Sequence, residues 1–132
     1  MLFRYTEYPD GVLRPVVPVT LHGPVRSRQF GMLIDSGADV SVISGRTANF
    51  LGLELTGRKT EDFQLADGSR VLAISIEINA TIADRTILLQ LAVIDLPPGT
   101  ISPLLGQRGF FDQFEVRFRR SHEEFEILPA TA

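Results

Sequence analysis

The chain has no cysteine among its 132 residues, which excludes disulfide staples, thiolate nucleophiles and thiolate metal sites while leaving the compartment open. No window approaches the roughly 18 apolar residues of a membrane span, and the opening MLFRYTEYPDG lacks the charged start and apolar stretch of a secretion signal. Charge of one sign is also scarce: a net charge of -3 without a basic stripe leaves no footprint for nucleic acid. There is no tandem repeat and no low-complexity tract. The two histidines, His22 and His122, sit in polar, turn-like settings without clustered carboxylates, so no metal site and no cofactor are expected. Together these absences predict a soluble, cytoplasmic chain with no nucleic-acid and no membrane partner.

What is present fits one globular domain: 44% of residues are apolar and 22% charged, enough to bury one core. Residues 1–11 read as a lead segment closing in a Pro9-Asp10-Gly11 turn, and 12–132 as the domain. Val12 to Leu21 carries β-branched residues among Pro15 and Pro18, the pattern of an edge strand, because proline cannot donate to a ladder. After the His22-Gly23-Pro24 break, Val25 to Ile34 returns as a strand. Val40 to Ser44 is a further apolar run. Arg46 to Leu53 has helical spacing, with Ser44 as N-cap and Gly52 as C-terminal stop.

Two arms then flank Ala66-Asp67-Gly68-Ser69, where Asp-Gly predicts a type I′ hairpin. Thr86 to Ile94 forms a strand ending at Asp95 and the Pro97-Pro98-Gly99 breaker. Arg108 to Phe114 reads as a second short helix, and Glu115 to Arg119 with Glu123 to Leu128 as a closing charged hairpin. Phe110, Phe111, Phe114 and Phe118 are assigned to the core or an interface. Seven or eight strands and one or two short helices place the chain among all-β folds, as a closed barrel or sandwich.

The stretch Leu33 to Asp39, LIDSGAD, is the most informative. An apolar run that stops at Asp35 is a buried strand ending in a turn, with Gly37 giving the backbone freedom. Asp35 there either closes an Asx turn or is placed for chemistry. LIDSGAD, the glycine-bearing hairpin at 65–71 and the later PLLGQRGFF, in that order, resemble the retroviral-protease-like (retropepsin-like) aspartic protease family, over roughly Val12 to Phe118. LGL at 51–53 and LADGSRV at 65–71 resemble its bacterial single-domain members.

The resemblance implies a single-domain retropepsin-like fold with a flap hairpin. It makes Asp35, Ser36 and Gly37 the catalytic turn, with the Ser36 hydroxyl bonding across a two-fold axis. Ala38, Asp39, Ala66, Asp67 and Gly68 become substrate-contacting, and Leu104, Leu105 and Gly106 a structural motif, otherwise readable as core plus turn. Asp39 would contact substrate backbone or pair with an arginine after the later glycine. That position is Gln107 here, with Arg108 one further on. The terminal strands of such proteins interleave at the dimer interface. Ala38 offers no hydroxyl to an ionised Asp35, which predicts a working pH nearer neutral than in relatives with serine or threonine there.

The chemistry can also be argued directly. Hydrolysing a peptide bond without metal or nucleophilic side chain needs two adjacent carboxyl groups sharing a proton, one to activate water and one to polarise the carbonyl. The chain has one Asp-Ser-Gly, so the second carboxylate must come from another copy of Asp35. This predicts an aspartic endopeptidase working as a homodimer on a polypeptide bound as an extended strand. The alternative is an inactive peptide-binding or dimerisation module of the same fold.

Overall fold

A computed structural model describes residues 1–65, 67–95 and 103–131. The strands in chain order are β1 (Leu2–Arg4), β2 (Thr6–Glu7), β3 (Leu13–Arg14), β4 (Val16–His22), β5 (Ser27–Ile34) and β6 (Val42–Ser44). The helix α1 (Gly45–Leu51) follows, then β7 (Thr60–Gln64), β8 (Arg70–Ile82), β9 (Arg85–Ile94), β10 (Leu104–Leu105), β11 (Phe114–Arg119) and β12 (Glu124–Pro129). The main sheet runs β4-β5-β10-β6-β9-β8-β7, and an added β4–β8 pairing joins its strands into a ring with β7 outside it. The fold is thus all-β and barrel-like.

That ring explains a departure from the sequence reading. The strand with Pro18 is not an edge: over Val19–His22 it pairs with β5 on one side and with β8 on the other. Pro18 itself faces Gly31 of β5 and lies just before the β8 pairing begins, so its missing N–H interrupts no ladder on that side. The one α-helix among the described residues begins where the sequence places its N-cap. Ser44 accepts the Thr47 N–H at 3.1 Å, and Gly52 ends the helix at φ +81.

No helix forms over Arg108 to Phe114. Gly109 has φ +100, outside the helical region, and the Phe111 and Asp112 N–H groups reach back five residues to the Gly106 and Gln107 carbonyls as a run of turns. A short 3₁₀ turn, Arg120–His122, links β11 to β12. The type I′ turn is displaced too. At the tip of the β7–β8 hairpin the Gly68 N–H bonds the Leu65 carbonyl at 2.9 Å and the Leu65 N–H bonds the Ser69 carbonyl at 2.8 Å. Asp67-Gly68 is therefore the end of a three-residue bulged loop, with Gly68 at φ +88. Two consecutive positive φ values occur instead at Ala83 (+48) and Asp84 (+64), the glycine-free turn between β8 and β9.

The lead segment joins the fold. β1 pairs with β12, which pairs with β11 on its other edge, so this three-stranded sheet is complete within one chain. Phe125, fully buried, is stacked with Phe3 at 5.5 Å and edge-on to Tyr5 at 5.8 Å. The opposite face carries the Arg117–Glu126 and Arg119–Glu124 pairs. The main core of Val17, Leu21, Met32, Leu89, Leu105 and Phe110 fills the ring, and each large side chain so buried contributes about 1.5–3 kcal/mol. His22 is half-buried rather than solvated, its ring nitrogens bonding Thr81 Oγ1 at 2.8 Å and Ser27 Oγ at 3.2 Å.

Candidate active site

Strand β5 delivers Asp35 to the end of the sheet. β10 runs parallel to it, with Leu104 beside Leu33 and Leu105 beside Ile34, and the Asp35 N–H donates to the Leu105 carbonyl at 2.9 Å. β10 also pairs with Val42 of β6, so it threads between the two strands that the LIDSGAD turn connects. The Gly37 N–H donates to Asp35 Oδ1 at 2.9 Å and the Ala38 N–H to the Asp35 carbonyl at 3.1 Å. This is an Asx-turn bond, and it also fixes the carboxylate: Oδ2 accepts nothing from the described residues. Asp35 is half-buried while Ser36 and Gly37 are exposed.

The second motif braces the first. Gly106 is buried so tightly that a Cβ there would collide with the Val40 and Ala38 carbonyls. Its N–H donates to Ser41 Oγ at 3.0 Å, and that hydroxyl donates to the Arg108 carbonyl at 3.2 Å. Gln107 clasps the turn twice, through its N–H to the Ala38 carbonyl at 2.9 Å and its Nε2 to the Ser36 carbonyl at 2.8 Å. A neutral amide therefore stands where the resemblance implied a guanidinium. Asp39 and Arg108 meet only through backbone, N–H to carbonyl at 3.0 Å, and the Arg108 side chain points to Glu61 of β7 at 3.8 Å. Ser41 and Glu61 were not singled out from sequence, and Gln107 only as the residue standing where the resemblance implies an arginine. The only signal for Ser41 was a lone hydroxyl in an apolar run.

The hairpin of β7 and β8 packs beside this region through its root. β8 pairs with β9 only from Ala73 onward, so over Arg70–Leu72 it has β7 alone as partner. A second apolar cluster of Val40, Val42, Ala73, Ala92 and Ile94, with Phe63 and Leu104 packed against it, ties the hairpin's root to the turn. At its tip Asp67 Oδ1 accepts from the Ser69 hydroxyl (2.6 Å) and N–H (2.8 Å), and these bonds hold its carboxyl below the ordinary carboxylate range. Gly68 completes the tip; Ala66 lies outside the described residues, as does the Pro97-Pro98-Gly99 breaker. Asp95, the other aspartate ending an apolar strand, lies beside Gly45 at the head of α1. Among the described residues no three metal-ligating side chains cluster, and no helix is long and apolar enough to cross a membrane.

A barrel-like all-β domain with an Asp-Ser-Gly turn braced by a Leu-Leu-Gly strand defines a protein of the retropepsin-like class. The family model described as "gag-polyprotein putative aspartyl protease" matches residues 21–110, and the chain belongs to that aspartic protease family. Among solved structures it is similar to a retropepsin-like aspartic protease from Rickettsia conorii, at 22% identity and a TM-score of 0.66, over 97% of this chain and 98% of that one. It is also similar to the EIAV protease complexed with the inhibitor HBY-793, at 22% identity and a TM-score of 0.58, over 77% of this chain and 88% of that one. At these identities the likeness is one of fold. Comparison with curated proteins gives no match.

Proposed function

We propose that the protein is an aspartic endopeptidase that assembles its site from two copies of Asp35 in a homodimer. The observation that carries this reading is the Asp35 carboxylate itself, fixed through Oδ1 by the Gly37 N–H at 2.9 Å, with Oδ2 free of protein donors among the described residues. One such carboxylate can take a proton from water but cannot also donate one to the carbonyl. A two-fold axis through the turn supplies the second group, and the pair then shares one proton. Exposure of Ser36 and Gly37 leaves this face of the turn open to a partner. Because β12 is already paired on both edges, the dimer forms without interleaving the terminal strands, through the turn face and the free edges of β1 and β11.

Substrate lies as an extended strand between turn and flap. The 70–72 arm of β8 and the edge strand β7 offer backbone groups for such pairing, and the cluster around Phe63, Val71 and Leu104 offers an apolar wall. Closure of the hairpin excludes water from the reacting pair. The test is cleavage of an unstructured polypeptide by the purified protein across about pH 3–8, the range that brackets a carboxyl pair. Asp35→Asn abolishes cleavage while sedimentation still shows a dimer. Cleavage that survives Asp35→Asn, or a strictly monomeric active protein, contradicts the proposal.

A further inference from the structure

A cavity of about 470 Å³ is bounded by β7, β8, β9, Val40 and Arg108, a volume that suits a side chain or small ligand. Its floor is continuous with the cluster between flap and turn: Val40, Phe63, Ala73 and Ala92 belong to both. Its rim is charged. Arg58, Lys59 and Arg108 face Glu61 and Glu77, a net positive rim on a chain whose net charge is -3.

The carboxylates and cations of this rim are unequally engaged. Glu61 is held by Arg108 at 3.8 Å and by the Ser75 hydroxyl at 3.3 Å. Arg58 spends its Nε on the Glu54 carbonyl at 2.7 Å, and neither Arg58 nor Lys59 forms an ion pair among the described residues. The Ser75 N–H donates to the Lys59 carbonyl at 3.2 Å, which ties the backbone carrying these two cations to β8. Two exposed cations thus stand at the mouth of an apolar-floored cavity that adjoins the turn carrying Asp35.

We propose that this cavity is a subsite for an acidic side chain, Asp or Glu, of the polypeptide substrate, at a position away from the scissile bond. The proposal rests on the protease reading and adds a substrate class to it. An extended peptide under the flap sends successive side chains to opposite sides, so one register can enter the cavity. There the methylenes lie on Phe63 and Ala73 while the carboxylate meets Arg58 and Lys59 in charge-assisted hydrogen bonds. A lysine in the same register meets like charge and is rejected. A free inorganic anion has no use for the apolar floor, whereas a tethered carboxylate uses floor and rim together.

The test is a set of fluorescent peptides sharing one apolar sequence, each with Glu, Gln or Lys at one successive position. Binding is read by anisotropy on Asp35→Asn protein and cleavage on the native protein. At one position the Glu peptide should bind about five- to tenfold tighter than its Gln twin, with Lys weakest. Arg58→Gln with Lys59→Gln should erase that preference, and Arg58→Glu with Lys59→Glu should invert it. Absence of a Glu preference at every position, or one that survives charge reversal, overturns the subsite. Glu-selective binding without any cleavage upholds the subsite and overturns the protease reading; unselective cleavage does the reverse.

Discussion

Replacing Ser41 by alanine removes one oxygen from a place that water does not reach. Ser41 is 0% exposed, the one buried polar residue among the described ones, and its Oγ is the acceptor for the Gly106 N–H at 3.0 Å. In the variant the Arg108 carbonyl keeps the Ser41 N–H at 3.2 Å, so it stays satisfied. The Gly106 N–H does not. Gly106 cannot shift to find another acceptor, because the space beside its Cα is filled by the Val40 and Ala38 carbonyls. A buried donor left without a partner costs about 1–3 kcal/mol, so the loss should be about 2 kcal/mol, and Tm should fall by roughly 6–10 °C in a domain of this size. Urea unfolding at fixed protein concentration measures it, the midpoint falling with an unchanged slope. Ser44→Ala is the comparison: it loses the Thr47 N–H cap of α1, worth about 1 kcal/mol, and leaves the turn intact. A Ser41→Ala protein within about 0.5 kcal/mol of the native one refutes the claim that this hydroxyl holds the Leu-Leu-Gly strand in place.

Three other changes probe neighbouring parts of the site. Gly106→Ala drives a methyl into the Val40 and Ala38 carbonyls, so soluble expression or the near-ultraviolet spectrum should collapse, and a normally folded protein contradicts that packing. Gln107→Ala removes an exposed bond to the Ser36 carbonyl and should cost only about 0.5–1.5 kcal/mol in stability. Its larger effect falls on kcat for a test peptide rather than on KM, because the loosened turn misplaces Asp35; equal activity sinks that role. At the tip of the β7–β8 hairpin, the Asp67 carboxyl lies below its usual value because Ser69 donates to the ionised form. Its contribution is therefore present above the ordinary aspartate pKa and lost as pH falls through the lowered one. Protection of the Ser69 amide against hydrogen exchange should drop in that acid range, and should not do so in Asp67→Asn.

The parts of the fold legible in the sequence were those with local causes. Ser44 and Gly52 marked the ends of α1 because caps act on their own turn. What escaped was set by partners distant in sequence. Pro18 looks like an edge residue until β8 arrives at the next residue, Val19. Arg108 to Phe114 has helical spacing, yet Gly109 takes φ +100 and lies so close to the Gln90 carbonyl, far away in sequence, that a Cβ there would collide with it. The type of the β8–β9 turn escaped because Ala83 and Asp84 adopt positive φ without a glycine to announce it. At the site, Asp35 and Gly37 were readable from their own stretch and Gly106 from its order after it. Gln107 and Ser41 were not, since their partners lie 71 and 65 residues away in the chain.

If one site is made from two Asp35 carboxylates, mixing native and variant subunits reveals it. Native protein is equilibrated with an equal amount of Asp35→Asn protein, above the concentration at which both are dimeric, and peptide cleavage is compared with that of native protein alone at the same total concentration. Random pairing leaves about a quarter of the dimers with two aspartates, so the rate should fall to about a quarter. A rate of one half means that each chain carries a complete site of its own, and contradicts the account.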